Sequence, residues 1–208
     1  MKNSIQISHI DSQVELGSEL GQMLVRLCKT ADDEDSVMAR NLQTINWTER
    51  PETLLYCIYI EKRFDSPEGK LFALVENNDM VSVGGIYRTE FCPQSIAVGA
   101  ARTYTHPQKR NKFWHGEYLI PAQIEWATEQ KISQIIFSVN TENHRLFNFL
   151  KRAAEQKAGV LGLALPDIYK KLELHPYPIK LKNTVQQIFK LNIDPSFKWN
   201  YSSLEVSA

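Results

Sequence analysis

The sequence predicts an α+β fold in which helices layer on both sides of a mixed, mostly antiparallel central sheet containing one β-α-β crossover. Three observations point there. Helical periodicity dominates the first third of the chain, a hairpin and a third strand follow, and a strand, a helix and another strand then occupy about 45 residues. Such a spacing is that of a crossover laying two parallel strands side by side. With 208 residues, 43% of them hydrophobic and 10% aromatic, the chain can bury enough apolar surface to offset the entropy of ordering its backbone.

Leu16, Leu20, Met23, Leu24 and Leu27 recur at intervals of three and four, and Ser12 with Glu15 has the spacing of a capping box, so a first helix is expected from Ser12. Val37, Met38, Leu42 and Ile45 suggest a second, preceded by the acidic run Asp32 to Asp35 at the positive end of its dipole. Pro51 suits the first turn of a third helix carrying Leu54, Leu55, Ile58 and Tyr59. From Ser66-Pro67-Glu68-Gly69 the pattern changes: Leu71 to Val75, the reversal Asn77-Asn78-Asp79 and Met80 to Tyr87 form a hairpin. A third strand runs from Ser95 to Thr105, and the small residues Ala97 to Ala101 admit close approach of another backbone or a ligand. Leu119, Ala122, Gln123, Trp126 and Ala127 mark a helix that Pro121 must either delay or kink. Ile132 to Val139 alternates as a strand, and Glu142 to Gln156 returns to helix. Ile168 to Leu174 is a last strand, and Val185, Ile188, Phe189 and Leu191 suggest a short amphipathic helix before the aromatic tail of Phe197, Trp199 and Tyr201.

Twenty-four basic residues balance twenty-four acidic ones, so the formal net charge is zero and a general polyanion-binding surface is excluded. The balance is uneven locally. No acid lies between Glu90 and Glu117, a window holding Arg102, Lys109, Arg110 and Lys112 with His106 and His115. It falls where a strand ends and a helix begins, and free N–H groups at a helix start beside cations suit phosphate oxygens. Lys112-Phe113-Trp114-His115 interleaves cations and aromatics, but so small a footprint without an RNA-binding motif does not make nucleic acid an expected partner. Cys28, Cys57 and Cys92 have neither the pairing nor the His spacing of a metal site, so no metal and no disulfide is expected. Met1 to Ser8 lacks the apolar core of a signal peptide, and Leu54 to Ile60, the longest apolar run, is too short to span a bilayer; no membrane association and a cytoplasmic setting are expected.

Element order and the segments Thr105-His106-Pro107-Gln108-Lys109-Arg110-Asn111-Lys112, Ile135-Ile136-Phe137-Ser138-Val139 and Asn143 with its helix together resemble the GNAT superfamily of acyl-CoA-dependent N-acyltransferases. In that family a strand ends in a P-x-x-R-x-x-G-x-G type loop whose backbone N–H groups hold the CoA pyrophosphate. Pro107 and Arg110 fall on its Pro and Arg, and Asn143 on an Asn that opens a helix beside the pantetheine arm. The loop is degenerate here: its glycine positions are held by Phe113 and His115 or, in the other register, by Asn111 and Phe113, with Gly116 one residue late. Leu150 stands where many members place a proton-donating Tyr. The resemblance implies a GNAT-like acyltransferase domain over residues 1–175 and a C-terminal extension, 176–208, packed on the domain or mediating contacts. It implies acetyl-CoA or another acyl-CoA as cofactor, bound by Thr103, Tyr104, Thr105, Arg110, Asn111, Lys112, Phe113, Trp114, His115, Gly116 and Asn143. The reaction would be direct attack of a small-molecule or peptide amine on the thioester. Its catalytic candidates are Glu90 and His106 as proton acceptors and Tyr104 as the available hydroxyl. The alternative is a catalytically inactive GNAT-fold binding or interaction module. An exposed aromatic tail would favour a homodimer.

Overall fold

A computed structural model describes residues 5–11, 14–15, 17–40, 68–88, 97–110, 115–155, 172–181 and 184–193. The expected helix after Pro51, most of that over 37–45, the aromatic tail, and Glu90, Asn111, Lys112, Phe113 and Trp114 lie outside the described residues.

The elements in chain order are β1 (Ile5–Ile10), α1 (Glu19–Asp32), β2 (Gly69–Glu76), β3 (Asp79–Tyr87), β4 (Ala97–Thr105), α2 (Ile120–Glu129), β5 (Gln134–Asn140), α3 (His144–Ala154), β6 (Leu172–Leu174), β7 (Ile179–Leu181) and β8 (Thr184–Asn192). Eight strands among the described residues join one sheet in the order β1-β2-β3-β4-β5-β8-β6, with β7 also on β8. Only β4 and β5 pair in parallel; every other pairing is antiparallel. The α2 helix supplies the crossover between those two, as the sequence predicts.

Local chemistry explains most boundaries. Asn77 and Asn78 both take positive φ, 52° and 63°, as a tight two-residue hairpin turn needs, and Asn tolerates this conformation better than most residues. The first helix begins later than Ser12: Ser18 is its cap, its hydroxyl accepting the Gly21 N–H at 3.1 Å. Pro121 lies in the first turn of α2, where its missing N–H costs nothing, and a wider π-type turn over His115–Leu119 leads into it. Asn143 caps α3 by accepting the Leu146 N–H at 3.4 Å.

Alternation along β2 builds two apolar layers. Leu71, Ala73 and Val75 join Met23, Leu24, Leu27 and Cys28 of α1, with Val83 and Tyr104. Phe72 and Leu74 join Leu119, Ala122, Trp126 and Ala127 around α2, a cluster that continues through Ile135, Phe137 and Val139 to Leu150, Phe189 and Leu191.

One element was not expected, and one expectation is corrected. Residues 5–10 form an edge strand that periodicity did not suggest. Residues 184–192 are a strand, not a helix: β8 inserts between β5 and β6, so a boundary at 175 falls inside the sheet. Gln187, Phe189 and Leu191 are the buried members of its period-two pattern. A polar Gln in an inward slot disguised that period. It can sit there because its Nε2 donates to the His175 carbonyl at 2.7 Å.

Phe189 is fully buried, with its ring 6.3 Å from that of Phe147 on α3. Phe189→Ala is expected to lower stability in urea unfolding by about 3–5 kcal/mol; a loss under about 1 kcal/mol would contradict β8's place in the core.

Candidate functional site

The site begins with one irregular residue. Arg102, inside β4, has φ 55°, a conformation costly for a residue with a Cβ. Along β3 the step from Val83 to Gly85 takes two residues, while along β4 the matching step from Tyr104 back to Ala101 takes three. An extra residue on one strand is a β-bulge, which bends the strand that carries it. Pairing of β4 with β5 stops at Ala100 and Phe137. Beyond that rung, residues 101–105 continue on β3 alone, and 138–140 continue on β8 alone.

The result is a gap between the carboxyl ends of two parallel strands, the place where open sheets with such pairs take ligands. Hydrogen-bond phase says what lines it. The His106 N–H donates to the Val81 carbonyl at 2.9 Å, so the neighbouring Thr105 turns its N–H and C=O away from β3, into the gap. On β5, the Thr141 N–H donates to Val185 and the Ile193 N–H to the Ser133 carbonyl. Residues of even number therefore face β4, and Asn140 is the first whose N–H lies past the last paired rung.

Charged side chains frame one side of this gap. Glu34, just beyond the end of α1, takes both terminal nitrogens of Arg110: Nη2 to Oε2 at 2.7 Å, and Nη1 to Oε1. The Arg110 Nε donates to the Thr105 carbonyl at 3.0 Å, and its guanidinium lies over the Tyr104 ring at 5.3 Å. The Tyr104 hydroxyl donates to the same Glu34 Oε2 at 2.7 Å. Arg110 and Glu34 side chains are 23% and 19% exposed, enough shielding to strengthen the pair beyond an ordinary surface contact. The Arg110 hydrogen bonds, with help from Tyr104, hold the Glu34 carboxyl below its ordinary range against the opposing effect of burial. Burial first, and the Glu34 carboxylate second, push the Tyr104 hydroxyl well up. Lys109 is similarly engaged, its Nζ 2.7 Å from Oε2 of Glu76, whose side chain is only 5% exposed. Ser82 donates to the Tyr104 carbonyl at 3.0 Å and shares a 2.9 Å hydrogen bond with the Thr105 hydroxyl, pinning the end of β4 from the other side.

Of the residues singled out by sequence, the structure brings Thr103, Tyr104, Thr105, His106 and Arg110 to the end of β4, with Asn143 across the gap as the cap of α3. Tyr104 is a core residue with its hydroxyl on Glu34, and Arg110 directs its guanidinium at that carboxylate. His106 caps the Pro107–Lys109 turn, its Nδ1 accepting the Gln108 N–H at 3.3 Å. Gly116 is buried in the turn that leads to α2. Residues the sequence did not flag are Glu76, Ser82, Asn140 and Arg145; Glu34 was visible only as part of an acidic run. Cys28, under this network on α1, is no nucleophile: burial pushes its thiol up to about 12. Among the described residues no group of His, Cys, Asp or Glu is arranged to hold a metal, and no helix is long and apolar enough to cross a membrane.

No family model and no curated protein sequence matches the chain. Solved structures do match its shape. An acetyltransferase from Streptococcus agalactiae superposes with a TM-score of 0.57 at 13% identity, covering 91% of this chain and 98% of that one. The PaiA N-acetyltransferase from Thermoplasma acidophilum, in complex with coenzyme A, gives 0.55 at 12% identity over 91% and 99%. YncA from Salmonella typhimurium, solved with its cofactor acetyl-CoA, gives 0.57 at 12% identity over 95% and 98%. The fold is that of the GNAT superfamily, as the resemblance in sequence implied.

Glu34→Gln is expected to lower stability at neutral pH by about 2 kcal/mol, the scale of a shielded charge-assisted contact. Because the Glu34 pKa is depressed in the folded state, its contribution is present above about pH 4.5 and is lost as pH falls through the folded value. Urea midpoints of wild type and variant should therefore converge toward acid pH; a constant difference would contradict the ion-pair account.

Proposed function

We propose that this chain is an acyl-CoA-dependent N-acyltransferase, with acetyl-CoA as the donor and a small-molecule or peptide amine as the acceptor. The observation that carries the reading is the gap where β4 leaves β5, lined by the main-chain N–H groups of Thr105 and Asn140. Coenzyme A and acetyl-CoA in the Thermoplasma and Salmonella structures of the same fold support it. The chain's own groups suit the donor: two strands diverging by one bulge leave backbone groups facing each other, which amides of an extended pantetheine arm can bridge as a third strand would.

When bound, the thioester supplies an activated acyl group. In the transfer a free amine would form the amide bond as the carbon–sulfur bond breaks, the thiolate leaving and the amine's proton passing to a base of this chain. The main-chain N–H of Thr105, turned away from β3 and therefore already oriented into the gap, would stabilise the developing oxyanion. The amine's proton passes to His106 or Glu90 in this reading. Tyr104, buried with its hydroxyl on Glu34, holds the site together and takes no part in the transfer. With Cys28 protonated and buried, the transfer runs without an acyl-cysteine intermediate at that residue.

A second reading, the inactive binding module, draws on the loop itself, since Arg110 and Lys109 are neutralised by Glu34 and Glu76. Thermal melting and thiol release separate the two. Acetyl-CoA at about a hundred times its Kd should stabilise the native state by about 2.7 kcal/mol, raising the midpoint by roughly 5–10 °C. No shift at millimolar acetyl-CoA would overturn the acyltransferase reading; a shift without thiol release across an amine panel would favour the module.

A further inference from the structure

The basic loop carries less usable charge than its sequence suggests. Arg110 is committed at all three guanidinium nitrogens, two of them on a carboxylate. A phosphate arriving there would have to displace Glu34, trading one charge-assisted fork for another with little net gain. Lys109 is in the same position, and removing it would strip the ion-pair partner from a buried carboxylate.

Arg145 differs from both. It lies in the first turn of α3, which follows the carboxyl end of β5, and its Nη2 donates to the Arg110 carbonyl at 3.0 Å. That single contact spans the mouth of the gap, from the β5 side to the segment that leaves β4. The guanidinium is exposed and has no carboxylate partner among the described residues. Its helix offers no compensation: the first turn of α3 contains no acid, and a cation at a helix start is disfavoured by the dipole. A neutral carbonyl offers a guanidinium one hydrogen bond and no opposing charge, whereas a phosphate adds the charge attraction and can be held by two parallel N–H···O bonds. Exchange therefore runs downhill at Arg145 and level at Arg110.

Resting on the acyl-CoA reading above, we propose that Arg145, and not Arg110, is the side chain that binds the phosphates of CoA, leaving the Arg110 carbonyl as the ligand enters the gap. The change explains how a loop without its family's glycines and with its arginine neutralised can still hold an anionic donor. Arg110 becomes a positioning residue that fixes the loop to α1 through Glu34.

The test is calorimetric titration of CoA into wild type, Arg145→Gln, Arg145→Lys and Arg110→Lys, each with its ligand-free melting midpoint. Arg145→Gln should raise Kd about tenfold or more with an unchanged midpoint, and Arg145→Lys should recover part of the loss. Arg110→Lys should lower the midpoint and change Kd less than about threefold, the variant keeping its charge on Glu34. Wild-type Kd in Arg145→Gln overturns the inference and leaves the acyl-CoA reading intact. A tenfold loss in Arg110→Lys with none in Arg145→Gln also overturns it. Failure of wild type itself to bind CoA overturns the reading and the inference together.

Discussion

The bulge at Arg102 is the constraint on which the rest of the site depends. One extra residue on β4 bends it while β3 still holds it by hydrogen bonds, so the strand cannot stay on β5 past Ala100. Without that bend the sheet would close and every main-chain group near Thr105 would be satisfied within the ladder. With it, the carboxyl ends of the two parallel strands separate and their N–H groups face a common space. The positive φ of Arg102 is local strain, and such strain persists because pairing on both flanks over-determines it.

The second feature is how charge is distributed once the chain has folded. A net charge of zero conceals a 26-residue stretch, Phe91 to Gly116, that contains no acid. In the folded protein that stretch is met by acids from far along the chain: Glu34 from the end of α1 and Glu76 from the end of β2. Compensation of this kind converts two apparent ligand-binding cations into fasteners. Arg110 ties the segment after β4 to the α1 layer through Glu34 and the Tyr104 ring, while Lys109 ties it to the hairpin. The gap thus has one wall fixed by ion pairs, and at its mouth an arginine from the other wall reaches across.

Much of this was legible in the sequence, and the parts that were not have physical reasons. The hairpin, the strand with small residues, the crossover and the α3 helix announce themselves because turn chemistry and periodicity are local signals. The strand β8 did not, since Gln187 occupies an inward position and its satisfaction comes from His175, twelve residues away. Strand β1 is short and at an edge, where burial imposes little pattern. At the site, Pro107 and Arg110 were recognised by spacing, but the partner of Arg110 lies 76 residues away and that of Lys109 lies 33 away. No spacing rule reaches that far. Arg145 was passed over because an exposed arginine has no signature in sequence; only the fold brings it to the Arg110 carbonyl.

The claim at the centre of this account is that the space between β4 and β5 receives acyl-CoA by its backbone. Backbone amide NMR, following each N–H during titration with CoA, tests it most directly. The account predicts that the amides of Thr105 and Asn140 shift most and become protected from hydrogen exchange, with smaller changes along 106–110 and at the start of α3. Shifts confined to the β6–β7 edge or the outer face of α1, with Thr105 and Asn140 unmoved, would contradict it.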